Sequence, residues 1–112
     1  MQTVNERNCR FRNETFGFKY LLRGPRIDWG IFRFPPGKEM GAHYHNKVEE
    51  TFYFTLGSGR MIVGGREERI EAGDVYRIEP GEVHNFWSDG PEDLEGVFIK
   101  SIFDPDDKVD VK

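Results

Sequence analysis

The sequence predicts an all-β protein, on three observations. Glycine punctuates the chain, with 13 residues where average usage would give about eight. The glycines gather in turn contexts: Gly57-Ser58-Gly59, Gly64-Gly65, Ala72-Gly73-Asp74, Pro80-Gly81 and Asp89-Gly90-Pro91. Between these breaks lie short runs of β-favouring residues, whereas no segment carries a helical stripe. Short strands at regular spacing, joined by turn chemistry, point to a sandwich or barrel.

The elements follow in order. Residues 1–27 form a segment that flanks the core or helps form a dimer, with one strand over Phe16 to Leu22. A second strand runs from Trp29 to Phe34 and carries Arg33. His43 and His45 are two residues apart, so on a strand both imidazoles face the same way. The strand from Glu50 to Thr55 puts Glu50, Phe52 and Phe54 on one face. Arg60 to Val63 leads into Gly64-Gly65, a pair that can supply the positive φ angles of a tight hairpin. Arg60, Arg66 and Arg69 read as surface charges beside that hairpin, and Glu67 to Ala72 is too short for a helix. Val75 to Ile78 carries Tyr76 and Arg77; His84 to Trp87 places Phe86 at the parity of His84; Leu94 to Phe103 carries Lys100. Residues 104–112 read as an acidic, frayed tail. Gly37, Gly57, Gly73 and Gly81 read as turn residues.

Composition bounds the class. The 112 residues suit one domain, with a core spanning about residues 28–103. The 16 aromatics supply material for that core. A net charge of −4 argues against nucleic acid as a partner. No apolar run approaches the roughly 18 residues of a membrane span, and the start shows no apolar signal region. A cytoplasmic location is therefore expected. Cys9 is the single cysteine, which excludes an intrachain disulfide and a cysteine-rich zinc site; it reads as a small hydrophobe.

The chemistry concentrates on the three histidines, His43, His45 and His84, and on Glu50. A carboxylate on an apolar inward face is costly unless it is paired or binds a metal. Three imidazoles and one carboxylate on inward faces make a metal site, suited to one divalent transition metal: Mn, Fe, Ni, Cu, Co or Zn. Phe52, Phe54 and Phe86 share parity with these ligands and should line the interior. Tyr44, Tyr53 and Trp87 have the opposite parity. They should form an outward aromatic patch, covered by a second subunit or by the N-terminal segment. Parity does not fix the direction of Arg33, Arg77, Lys100 or Tyr76. Glu79 and Glu82 precede His84 in a loop and read as solvated.

The spacing Gly37-x5-His43-x-His45-x4-Glu50-x6-Gly57 resembles the first motif of the cupin family. Gly73-Asp74, continuing through Pro80-Gly81 to His84, resembles the second. Two positions depart from the pattern: Glu79 where the family usually has proline, and Ser88 where it tends to have asparagine. Neither is a ligand. The resemblance covers about Gly37 to Phe86. It implies a double-stranded β-helix, a metal on the residues matching His43, His45, Glu50 and His84, and often a homodimer. It also implies a small-molecule substrate handled by dioxygenase, decarboxylase or isomerase-type chemistry. The alternative is a metal-anchored binding or sensing module without turnover.

Overall fold

The computed structural model describes residues 1–112. Ten strands are present: β1 (Gly17–Arg23), β2 (Asp28–Phe34), β3 (His43–Tyr44), β4 (Glu50–Leu56), β5 (Ser58–Val63), β6 (Arg66–Glu71), β7 (Val75–Ile78), β8 (His84–Ser88), β9 (Leu94–Lys100) and β10 (Val109–Asp110). One 3-10 turn, Glu6–Asn8, is capped by the Asn5 side chain. The strands form two antiparallel five-stranded sheets, ordered β1-β2-β9-β4-β7 and β10-β3-β8-β5-β6. Each run expected from the sequence overlaps a strand, although Phe16 precedes β1 and Ser101 to Phe103 lie beyond the end of β9, and His-x-His opens on β3.

Alternation decides what faces inward. Along β2, Asp28, Gly30, Phe32 and Phe34 are buried while Trp29, Ile31 and Arg33 are half exposed. Along β4, Glu50, Phe52 and Phe54 are buried. The inward residues of the two sheets meet in a core of Phe18, Phe32, Phe34, Phe52, Phe54, Phe86 and Phe98, with Met61, Ile70, Ile78 and Leu94. Phe86 is its hub, with ring centroids 5.2 Å from Phe34 and from Phe54 and 5.3 Å from Phe52, all edge-on. Such pairs add about 0.5–1.5 kcal/mol each beyond area burial. Gly96 sits opposite both Phe32 and Phe54 in the strand register. A Cβ there would run into the Tyr53 carbonyl and the Phe32 ring. Its absence lets Phe32 and Phe54 meet at 5.3 Å across β9.

Three expectations change. Residues 66–71 form β6, a strand that nothing in the residue pattern marked. It lies at a sheet edge and buries only Ile70, so its pattern is nearly all charge. Edge strands use such charges against unwanted pairing. Arg60 and Glu67 face each other at 3.9 Å across this hairpin, whose turn residues Gly64 and Gly65 both have positive φ.

The tail does not fray. Val109 and Asp110 pair with β3 as β10, and Asp107 is buried. Its acidity is not only solvation, because one carboxylate finds three backbone donors.

The aromatic patch is also corrected. Tyr44 and Trp87 lie on the β10-β3-β8-β5-β6 sheet and Tyr53 on the other. Outer faces of two stacked sheets point in opposite directions, so the three do not form one surface. Part of the first sheet's outer face is covered by the N-terminal segment. Lys19 donates to the Glu6 carbonyl (3.2 Å), Arg33 donates to the Thr15 carbonyl (2.7 Å), and both cations lie over the Phe11 ring. No helix is long and apolar enough to cross a membrane.

Candidate metal centre

The four predicted ligands come from three places and converge. His43 opens β3, and His45 comes immediately after the end of that strand. Glu50 opens β4 and His84 opens β8, and His43 pairs directly with His84 across the strands. All four side chains are buried, and one ligand atom from each lies within 4.8 Å of the others. The Oε1 atom of Glu50 is 3.3 Å from His45 Nε2, 3.4 Å from His84 Nε2 and 3.9 Å from His43 Nε2.

Backbone carbonyls orient the three rings alike. His43 Nδ1–H donates to the Gly41 carbonyl at 2.8 Å, His84 Nδ1–H to the Glu82 carbonyl at 2.9 Å, and His45 Nδ1–H to the Asp107 carbonyl. A carbonyl only accepts, so each proton belongs on Nδ1 and each Nε2 presents a lone pair. Three lone pairs and a carboxylate oxygen then face one point. Four acceptors crowded in a buried space are unfavourable unless a cation sits among them. The donor set therefore fits a divalent transition metal of the imidazole–carboxylate class.

The electrostatics agree. Burial opposes ionisation of Glu50, but an imidazole that takes a proton on Nε2 donates to the carboxylate, and these contacts with the charge of Lys100 outweigh burial and hold the carboxyl well below the usual range. Burial lowers the His43 pKa, against the pull of Glu50. Both groups thus favour the protonation state that a metal requires.

A second tier of residues fixes the first, and the sequence did not reveal it. The Asp107 carboxylate accepts from the backbone N–H groups of Asn46 (2.8 Å), Lys47 (2.7 Å) and Val48 (2.9 Å). That is the loop between His45 and Glu50. Burial disfavours the charged form of Asp107, yet these three donors and His45 lower its pKa. Asn85 Oδ1 accepts from the Gly41 N–H at 2.8 Å, holding the carbonyl that orients His43. Asp107 is sixty residues away from this loop in sequence, so no local spacing could have flagged it.

The remaining candidates separate cleanly. Phe52, Phe54 and Phe86 are fully buried in the core; the Phe52 ring reaches the site, 5.9 Å from the His84 ring. Arg33 points outward to Thr15, and Arg77 is exposed and paired with Glu79 at 3.3 Å. Tyr76 turns inward against Phe54, and burial raises its pKa. Lys100 sits at an inward position of β9, opposite both Asp28 and Glu50 in register. Glu82 shapes its own loop, accepting from the Glu79 N–H at 2.7 Å. Two surface clefts, of about 340 and 630 Å³, flank the N-terminal segment, and none of the four ligands lines either one.

The cupin domain model matches residues 30–100, a span that contains all four ligands. The chain belongs to the cupin family. This cupin is 38% identical over 63 residues to the oxalate-binding protein of Thermotoga maritima, covering 56% of the chain and 52% of that relative. It is 31% identical over 72 residues to the quercetin 2,3-dioxygenase of Bacillus subtilis, covering 63% of the chain and 21% of that enzyme. The chain thus spans about half of the first relative and about a fifth of the second. In fold it is similar to a double-stranded β-helix protein from Klebsiella pneumoniae, with a TM-score of 0.84, 19% identity and coverage of 100% and 98% of the two chains. A predicted oxalate decarboxylase from T. maritima gives a TM-score of 0.76 at 24% identity, over 90% of this chain and 99% of the other. The two sheets of this cupin are accordingly those of a double-stranded β-helix.

Proposed function

We propose that this cupin holds one divalent transition metal on His43, His45, Glu50 and His84 and acts there on a small, oxygen-rich organic molecule. The observation that carries the reading is the convergence of three oriented Nε2 lone pairs and one carboxylate oxygen within 4.8 Å. Four protein ligands leave positions open in an octahedral set, the feature that separates a catalytic site from a closed structural one. When bound, such a metal supplies Lewis acidity and, for Fe, Mn, Ni or Cu, access to redox chemistry, which covers dioxygenase, decarboxylase and isomerase-type reactions. The chain's own residues do the rest. The carbonyls of Gly41, Glu82 and Asp107 hold the imidazole orientation. Phe52 provides an apolar wall that excludes water and strengthens local electrostatics. The burial of all four ligands restricts the ligand to a small one. The names of the oxalate-binding and dioxygenase relatives support a small-molecule ligand.

A second reading is a metal-anchored binding module without turnover, favoured by the oxalate-binding relative. The metal's identity separates the two readings. Elemental analysis of untagged protein, prepared without added metal beside His43→Ala, is the test. Near-stoichiometric Fe, Mn, Ni or Cu that is lost in the variant supports the enzyme. Zinc lost in the variant supports the binder. No metal, or equal metal in both proteins, contradicts both readings.

The assembly we propose is a homodimer. Tyr53, Val75 and Ile99 remain exposed on neighbouring strands of the first sheet. A second copy would cover this apolar face. Light scattering should then give about twice the chain mass of 13.1 kDa; a monomer mass would contradict it.

A further inference from the structure

Beyond the metal ligands, the same end of the interior holds a lysine that closes no ion pair. Asp28, Lys100 and Glu50 form one row across β2, β9 and β4, each pair in direct register. Arg23 grips Asp28 with two hydrogen bonds, at 3.0 and 2.9 Å, so that carboxylate is neutralised. Glu50 is turned to the three imidazoles. Lys100 is half-buried, and it forms none of the ion pairs of the chain. Its ammonium instead leans across β2 and donates to the Tyr20 hydroxyl at 2.8 Å.

That arrangement leaves donors free. An ammonium has three N–H groups and one is used; a phenol that accepts from lysine still has its own O–H to give. Tyr20 is itself fixed, edge-on to Phe98 at 5.0 Å and beneath the Arg23 guanidinium at 3.8 Å. The charges also sum to a surplus. Neutral imidazoles and one carboxylate leave a divalent metal with one net positive charge, and Lys100 adds another. A half-buried ammonium that closes no ion pair and has two N–H groups to spare suits an anion.

We infer that Lys100 and Tyr20 form an anion seat, so that the ligand is a small organic acid with an oxygen on the metal and a carboxylate on Lys100. This inference rests on the metal reading above and names its substrate class. Lys100 and Tyr20 determine specificity: they grip the end of the ligand that the metal does not.

The test compares malonate with its monoamide, malonamate, by calorimetric titration of zinc-loaded protein. Each probe offers one carboxylate to the metal, and only malonate brings a second one to Lys100. Zinc content is measured separately in every sample. Wild type should favour malonate by roughly ten- to a hundredfold, the worth of one hydrogen bond to a charged group. Lys100→Met should erase that preference with zinc content unchanged, and Lys100→Arg should keep most of it. Tyr20→Phe, which keeps the ring, should reduce it partly. Equal preference in wild type and Lys100→Met at full zinc loading would overturn the seat and leave the metal site standing. So would a zinc-loaded wild type that does not favour malonate. A wild type that takes up no zinc would overturn both.

Discussion

The interior of this barrel has two ends built from the same strands, and they differ in what they are for. β2 runs from Asp28 to Phe34, β4 from Glu50 to Phe54, β8 from His84 to Phe86, and β9 from Leu94 back to Lys100. Each passes from a buried aromatic or leucine at one end to a charged or metal-ligating residue at the other. At the first end, seven phenylalanines pack mostly edge-on and need no partner beyond one another. At the second, every polar group is held by another: the imidazoles by carbonyls, Asp28 by Arg23, the loop before Glu50 by Asp107. Stability is concentrated where the side chains are apolar. Chemistry is concentrated where burial of acceptors would be costly without a cation.

The largest loss of stability is expected at the apolar end. Phe86→Ala should cost about 3–5 kcal/mol, because it empties the hub of the aromatic cluster. Urea unfolding of the metal-free protein measures this; a loss under about 1 kcal/mol would mean that the cluster is not the main store of stability. At the ligand end, His84→Ala should reverse the pattern. Metal affinity should fall by more than the roughly 10- to 100-fold typical of an outer-shell change, with metal-free stability little altered. Asp107→Ala lies between these cases. It frees three loop N–H groups, so metal affinity should drop about 10- to 100-fold, and unfolding should be easier by about 1.5–3 kcal/mol. Competition with a chromophoric chelator gives the affinity. An unchanged value would reduce the C-terminal segment to a bystander.

Acid sharpens the same contrast. The folded pKa of His43 is lowered from 6.5, so its contribution to stability is present above that value and is lost as pH falls through the folded pKa. Glu50 is lowered well below 4.5, so its contribution survives until more acid conditions and is lost last. Protons compete with the metal at the folded pKa, so metal affinity should decline as pH falls beneath the ordinary histidine value of about 6.5, where His43 protonates. Constant affinity down to pH 4 would remove histidine from the site. The smallest effect is expected far from both ends. Arg60→Ala at the edge hairpin should shift stability by less than about 0.5 kcal/mol, since an exposed pair contributes little. A larger shift by thermal unfolding would show that β6 matters to the core.

The sequence revealed the two ends unequally. Glu50 and His84 were legible because strand parity ties them to Phe52, Phe54 and Phe86, and because every histidine fell at a matching spacing. The strands were legible where aromatics alternate, as in β2. β6 was hidden because an edge strand can consist almost wholly of Arg and Glu. Asp107 was hidden because an acidic tail has the composition of a solvated one. Only the fold brings it under the His45–Glu50 loop. Lys100 was undecided until the register with Glu50 set its face.

The most direct measurement is titration of metal-free protein with Co(II), read by its visible ligand-field bands, in wild type, His84→Ala and Phe86→Ala. Wild type should bind one equivalent tightly, His84→Ala weakly or not at all, and Phe86→Ala should retain one-equivalent binding under conditions where it stays folded. Wild-type-like binding in His84→Ala would contradict the assignment of the metal centre to these four residues.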